Sequence, residues 1–203
     1  MRIFKKEKKL GSIGIPPILI LVILLFILII INFGKNLAFN NKLYASKLQE
    51  NIYNSMNIKE NRVQAFSRAI KLNNGSSSNT CVYFISEVLR MNGENIHDGI
   101  CNTTQLLDVM KDNGWKIERD YRKLRPGDIC FTTDDKLNKN GTPTHTYVFM
   151  KWAKEDNYDY AYVCDNQAKD YDGKIYHLRN IKKVDNIKGN TKDPFSFFMY
   201  KKS

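Results

Sequence analysis

Cysteine and histidine are scarce in this chain, and their placing excludes much metal chemistry. The four cysteines (Cys81, Cys101, Cys130, Cys164) include no CxxC pair, and the three histidines (His97, His145, His177) are scattered. Together they make no zinc spacing, so no metal or cofactor is expected. A basic folded region is lacking too. The net charge is +11, but residues 1–74 carry +9 of it and residues 75–203 only +2. A nucleic-acid-binding domain needs positive charge on the domain itself, so no nucleic-acid partner is expected. Internal repeats are absent, and low complexity is limited to one apolar run and the triple serine Ser76–Ser78.

That apolar run is the plainest feature present. Ile13–Phe33 spans 21 residues without a charge, and Arg2, Lys5, Lys6, Lys8 and Lys9 precede it against the single acid Glu7. A helix of roughly 20 such residues crosses a bilayer's hydrocarbon core. Basic residues before the span, with no comparable cluster immediately after it, place the N-terminus in the cytoplasm and the chain beyond the span outside. The pattern predicts a cytoplasmic tail over 1–12, a transmembrane helix over 13–33, a helical stem over 34–58 and a folded domain over 59–203. A cleaved signal peptide is the rival, but the run is longer than a usual signal core and Leu43-Tyr44-Ala45 is a poor cleavage site.

An outside location permits disulfides, and four cysteines allow three full pairings among which the sequence does not choose. Cys130 and Cys164 sit in strand-like apolar runs, where a free thiol packs well.

Beyond the span, Leu37, Leu43, Leu48, Ile52 and Met56 recur at helical intervals, as do Val63, Phe66, Ala69 and Ile70. This predicts a stem helix, a break near Asn57 and a second helix over Lys59–Leu72. Asn73–Asn79 is a loop ending in capping residues. Val82, Ile85, Val88 and Leu89 then mark a helix from Thr80 to Asn92-Gly93, and Leu106, Leu107 and Met110 a helix over Thr103–Lys111. After Trp115 the texture changes to short β-rich runs at 128–132, 146–153, 160–165, 174–178 and 195–200, with turn-formers between them. Helices first and antiparallel strands after them make an α+β layout.

Cys81 falls at the first turn of a helix. Free N–H groups and the helix dipole there favour a thiolate, so a lowered pKa and preferential reactivity over the other three thiols are expected. His145 comes after a loop and opens a strand, where it can be held rigidly yet face a cleft. Asp165, Asn166 and Gln167 end the next strand in groups able to accept an imidazole N–H. Strand parity lets only one of Asp165 and Asn166 face His145.

In this order the residues resemble a known family. The helix-starting Cys81, the segment Leu124-Arg125-Pro126-Gly127-Asp128-Ile129-Cys130-Phe131, then Thr144-His145-Thr146-Tyr147-Val148-Phe149, then a polar third member are similar to CHAP and NlpC-type cell-wall peptidases. The resemblance covers residues 60–200. It implies a papain-like domain with helices packed on an antiparallel sheet, and cleavage of peptide or amide bonds in bacterial peptidoglycan. Cys81 would be the nucleophile and His145 the base. In CHAP members the third site is an acid two residues before an amide, which maps to Asp165 and Gln167; Asn166 is the alternative. Val82 departs from the small or acidic residue often found after the nucleophile, and Thr142-Pro143-Thr144 lacks the usual glycine before the histidine. Two other readings stand beside this one: a non-catalytic module that holds wall peptide, and a cysteine peptidase of extracellular polypeptides.

Overall fold

The computed structural model describes residues 17–202. The basic tail and the first residues of the expected span, 13–16, lie outside the described residues. Helix α1 (Pro17–Asn57) runs through two compact units, residues 1–41 and 42–203. In the first unit, Ile18–Lys35 has a mean hydropathy of 2.9 and none of it is buried. By length and composition this one helix can cross a membrane, a test that a signal sequence also passes.

In the second unit α1 is part of the core. Leu48, Ile52 and Met56 are fully buried. Their spacing of four aligns them on one face, and each contributes about 2 kcal/mol relative to exposure. The segment expected as stem therefore lends its last turns to the folded unit, which begins before residue 59. Next come helices α2 (Lys59–Leu72), α3 (Cys81–Met91) and α4 (Thr103–Asp112). Helix α3 packs against α2, α4 and the sheet, and buries Phe84 and Ser86 as well as the expected Val82, Ile85, Val88 and Leu89. It is the central helix, apolar nearly all round. Helix α4 starts on Asn102, whose side chain accepts the Gln105 N–H, a standard N-cap.

The strands are β1 (Trp115–Glu118), β2 (Ile129–Thr132), β3 (Thr146–Lys154), β4 (Asn157–Cys164), β5 (Tyr176–Asn180), β6 (Asp185–Ile187), β7 (Asn190–Lys192) and β8 (Phe195–Lys201). Six form one antiparallel sheet in the order β1-β8-β2-β3-β4-β5, and β6 pairs β7 as a separate hairpin. The chain is thus α+β, as its texture suggests. Strand β1 and the β6–β7 hairpin are additions that the periodicity does not disclose, each strand being only three or four residues long.

The turn before β2 is fixed in detail. Asp128 Oδ2 accepts the Arg125 N–H at 2.8 Å, and the Gly127 N–H donates to the Phe149 carbonyl at 2.8 Å. Gly127 has φ of +91°, and a Cβ there would overlap the Gln49 carbonyl. Glycine is needed twice over, for its backbone angle and for the close approach of α1. Burial pushes the Asp128 carboxyl up to about 7, against the pull of the Arg125 N–H.

Candidate active site

The central strands carry the site residues to one end of the sheet. His145 immediately precedes β3, and its backbone is held on both sides by Thr132: the His145 N–H donates to Thr132 Oγ1 at 3.0 Å, and its carbonyl accepts the Thr132 N–H at 3.1 Å. A second anchor comes from Thr144, which donates to Asp193 Oδ2 at 2.6 Å. The imidazole is therefore set by the sheet rather than by a mobile loop.

Strand β4 pairs with β3 so that Cys164 lies opposite Val148, and the strand ends there. Asp165 is the next residue, fully buried, and its Oδ2 sits 2.9 Å from His145 Nε2. Its other oxygen accepts the Gln167 N–H at 2.7 Å. Asn166 turns elsewhere: its Nδ2 donates to Thr80 Oγ1 at 3.0 Å. Of the two candidate orienters, Asp165 meets the imidazole, while Asn166 ties down the residue before Cys81. Thr80 also donates to the Ser77 carbonyl, so its hydroxyl does not cap α3 in the manner the loop sequence suggests.

Cys81 is partly buried at the start of α3. The peptide N–H groups of Thr146, next to His145, and of Val82 and Cys81 itself act on the thiol in the direction that favours a thiolate. Cys81, His145 and Asn166 line one cleft of about 160 Å³, together with Asn79, Gln167 and Arg179. A trough of about 360 Å³ adjoins it along Ser77, Ser78, Asn190 and Thr191.

The electrostatics differ from the sequence expectation in one respect. Burial pushes the Cys81 thiol up to about 11, outweighing the three N–H groups that favour the thiolate. A helix start supplies donors, but withdrawal from water costs a thiolate more than they return. Burial likewise lowers the His145 pKa, against the raising effect of Asp165. For Asp165, burial opposes ionisation, yet His177 and His145 when protonated, the His145 N–H bond and the permanent charge of Arg179 outweigh it and hold the carboxyl well below the usual carboxylate range. An ionised Asp165 can only accept, so His145 carries its proton on Nε2 and leaves Nδ1 as the basic nitrogen. The shifts of Cys81 and His145 both favour a neutral thiol and a neutral imidazole in the resting cleft.

The other cysteines divide. Cys130 and Cys164 are buried and free, and burial raises both thiols well above their ordinary value. Cys101 is free and exposed, so an alkylating reagent reaches it more readily than the other three. Iodoacetamide at neutral pH is expected to label Cys101 first and Cys81 more slowly, with Cys130 and Cys164 spared; peptide mass mapping reads the order. Labelling of Cys130 ahead of Cys81 in a Cys101→Ser chain would contradict the site.

Of the remaining histidines, His97 is exposed and accepts the Gly99 N–H. His177 is buried, 3.7 Å from Asp165 Oδ2, and Arg179 Nη1 lies 3.8 Å from the same atom. Sequence reasoning passes over both, since β5 gives no sign of what it faces across β4. No group of three or more His, Cys, Asp or Glu that could hold a metal occurs among the described residues. No family model matches the chain, and no curated protein or solved structure matches it either.

Proposed function

We propose that this chain is a membrane-anchored thiol hydrolase of the CHAP/NlpC kind, with a papain-like domain outside the cell that cuts peptide or amide bonds of peptidoglycan. The observation that carries the reading is the 2.9 Å bond between His145 Nε2 and Asp165, with the thiol of Cys81, at a helix start, lining the same cleft as His145. An oriented base next to a nucleophile is the arrangement that acyl transfer from an amide requires. A module that only holds wall peptide has no need of it.

Catalysis then begins from the neutral pair. As substrate fills the cleft, the Cys81 proton passes to His145 Nδ1 and the sulfur bonds to the carbonyl carbon. Ionised Asp165 stabilises the imidazolium that forms. Peptide N–H groups at the start of α3, which lack intrahelical partners, face the oxyanion. His145 returns the proton to the leaving amine as the C–N bond breaks, giving a thioester. Water, deprotonated by the same imidazole, releases the acid and restores the thiol.

The cleft walls favour wall peptide over ordinary polypeptide. Their lining is polar: amides and hydroxyls from Asn79, Asn166, Gln167, Asn190, Ser78 and Thr191 alternate with the charged Lys169, Asp170, Arg179, Lys192 and Asp193, and Phe66 is the apolar exception in the trough. Such walls hydrogen-bond a chain of amides with small side chains, and offer little to a bulky apolar residue. Digestion of purified wall material by the full chain in detergent, with fragments identified by mass, tests the function and shows which bond is cut. Release of no wall fragment, alongside cleavage of unfolded polypeptide, would favour the extracellular peptidase reading. Protease added to intact protoplasts should remove the domain; full protection, or release of a cleaved species into the medium, would contradict the anchored topology.

A further inference from the structure

His177 stands on β5 opposite Val163, with Arg179 two residues on along the same buried face. Its ring is fixed on three sides. Nδ1 lies 3.1 Å from the Lys174 carbonyl, the ring stacks on Tyr171 with centroids 3.5 Å apart, and Nε2 is 3.7 Å from Asp165 Oδ2. A carbonyl only accepts, so Nδ1 carries the proton and a neutral His177 has a bare Nε2. That nitrogen is buried and has no hydrogen-bond partner. It faces a carboxylate, and two acceptors with no proton between them stay apart. The contrast with His145, at 2.9 Å from the same oxygen, is that of a proton absent against a proton present.

We propose that His177 is a positioning residue for Asp165 and a proton-operated switch on its hold over His145. Neutral His177 leaves Oδ2 to His145. Protonated His177 presents an Nε2–H to the same oxygen, draws the carboxylate toward β5 and sets a second cation beside the imidazolium that catalysis must form. The groups around it are coupled through that carboxylate. Arg179 acts on it from β5, Lys192 from β7 with Asp170 as its ion-pair partner, Tyr171 from the short helix Ala168–Tyr171 after β4, and His145 through the same oxygen of Asp165. One carboxylate then serves Arg179 and two histidines, and each added proton weakens its support of the others. Activity is switched off in acid by two protons rather than one.

The inference rests on Cys81, His145 and Asp165 working together, and its test does not need the wall substrate. Alkylation of Cys81 by iodoacetamide in the full-length Cys101→Ser chain is monitored between about pH 4.5 and about 8. Once the pH lies below the pKa of both histidines, each of which burial lowers, the rate is expected to fall about 100-fold per pH unit, and only about tenfold per unit when His177→Gln removes one of the two protons. A purely structural His177 would lower the rate at every pH and leave the slope unchanged, which overturns the proposal. Nitrogen-15 ring NMR of the unsubstituted chain in detergent needs no variant. It should show His177 protonated on Nδ1 near neutral pH and gaining its Nε2 proton as the His145 Nε2–H resonance shifts. A His177 that holds its proton on Nε2 at neutral pH, or stays neutral throughout the acid limb, also overturns it. An inactive wall digest with the two slopes intact would remove the substrate assignment and leave the switch standing.

Discussion

Replacing Cys81 by alanine is expected to abolish hydrolysis of wall material, a loss of about 10⁴-fold or more in turnover. The fold should survive. Cys81 is only partly buried, and the thiol's loss costs roughly 1 kcal/mol in packing. Circular dichroism and thermal melting of the variant should therefore stay close to those of the unsubstituted chain. Cys81→Ser should be equally inactive, because the buried neutral imidazole is too weak a base for an alcohol that ionises far less readily than a thiol. Binding separates this reading from its main rival. An enzyme stripped of its nucleophile still holds substrate, so Cys81→Ala should pull down with insoluble wall as the parent does while releasing no fragments. Undiminished release of fragments by the alanine variant would remove Cys81 from the mechanism. A parent that binds wall and releases nothing would instead identify a binding module of the same fold.

Much of this arrangement is legible in the residues, and the illegible parts have identifiable causes. Helical periodicity places α2 at Lys59–Leu72, which buries one face, and α3 after the loop before Cys81, although α3 is buried nearly all round rather than on the one face the pattern marks. The same periodicity in Leu48, Ile52 and Met56 announces a helix but cannot say what covers its apolar face; the core of the folded unit covers it. Short elements escape because three or four residues make too little pattern. The β6–β7 hairpin turns on Lys188-Gly189, both at positive φ, and only the glycine advertises that turn. The thiol's pKa escapes for a different reason. Sequence gives the position of Cys81 at a helix start, whereas its ionisation is decided by how much water the neighbouring β3 leaves it, and no local pattern encodes that. His177 is the clearest case of all, for it meets Asp165 only through the pairing of β5 with β4.

The second large effect concerns the choice between Asp165 and Asn166, which parity alone leaves open because β4 ends at Cys164. Asp165 holds His145 Nε2, and Asn166 holds Thr80. Asp165→Asn is expected to lower turnover about 10³- to 10⁴-fold, since an amide neither stabilises an imidazolium nor enforces the tautomer with Nδ1 free. Asp165→Ala should be as inactive and also less stable by roughly 3–5 kcal/mol, because Arg179 is left buried without its carboxylate. The asparagine variant keeps the shape and an acceptor oxygen at 165 but also leaves Arg179 without a carboxylate, so its turnover is compared with its own melting temperature to separate the catalytic loss from the structural one. Asn166→Ala loses one hydrogen bond to Thr80, worth about 1 kcal/mol, and should slow turnover only a few-fold through looser placing of Cys81. Steady-state hydrolysis of a soluble wall fragment by the three variants, each checked for fold by melting, measures the ranking. A reversed order would make Asn166 the orienter, as the asparagine is in papain-like proteases. Near-full activity in both Asp165→Asn and Asn166→Ala would place the third member outside this stretch and leave the 2.9 Å contact as a feature of the fold alone.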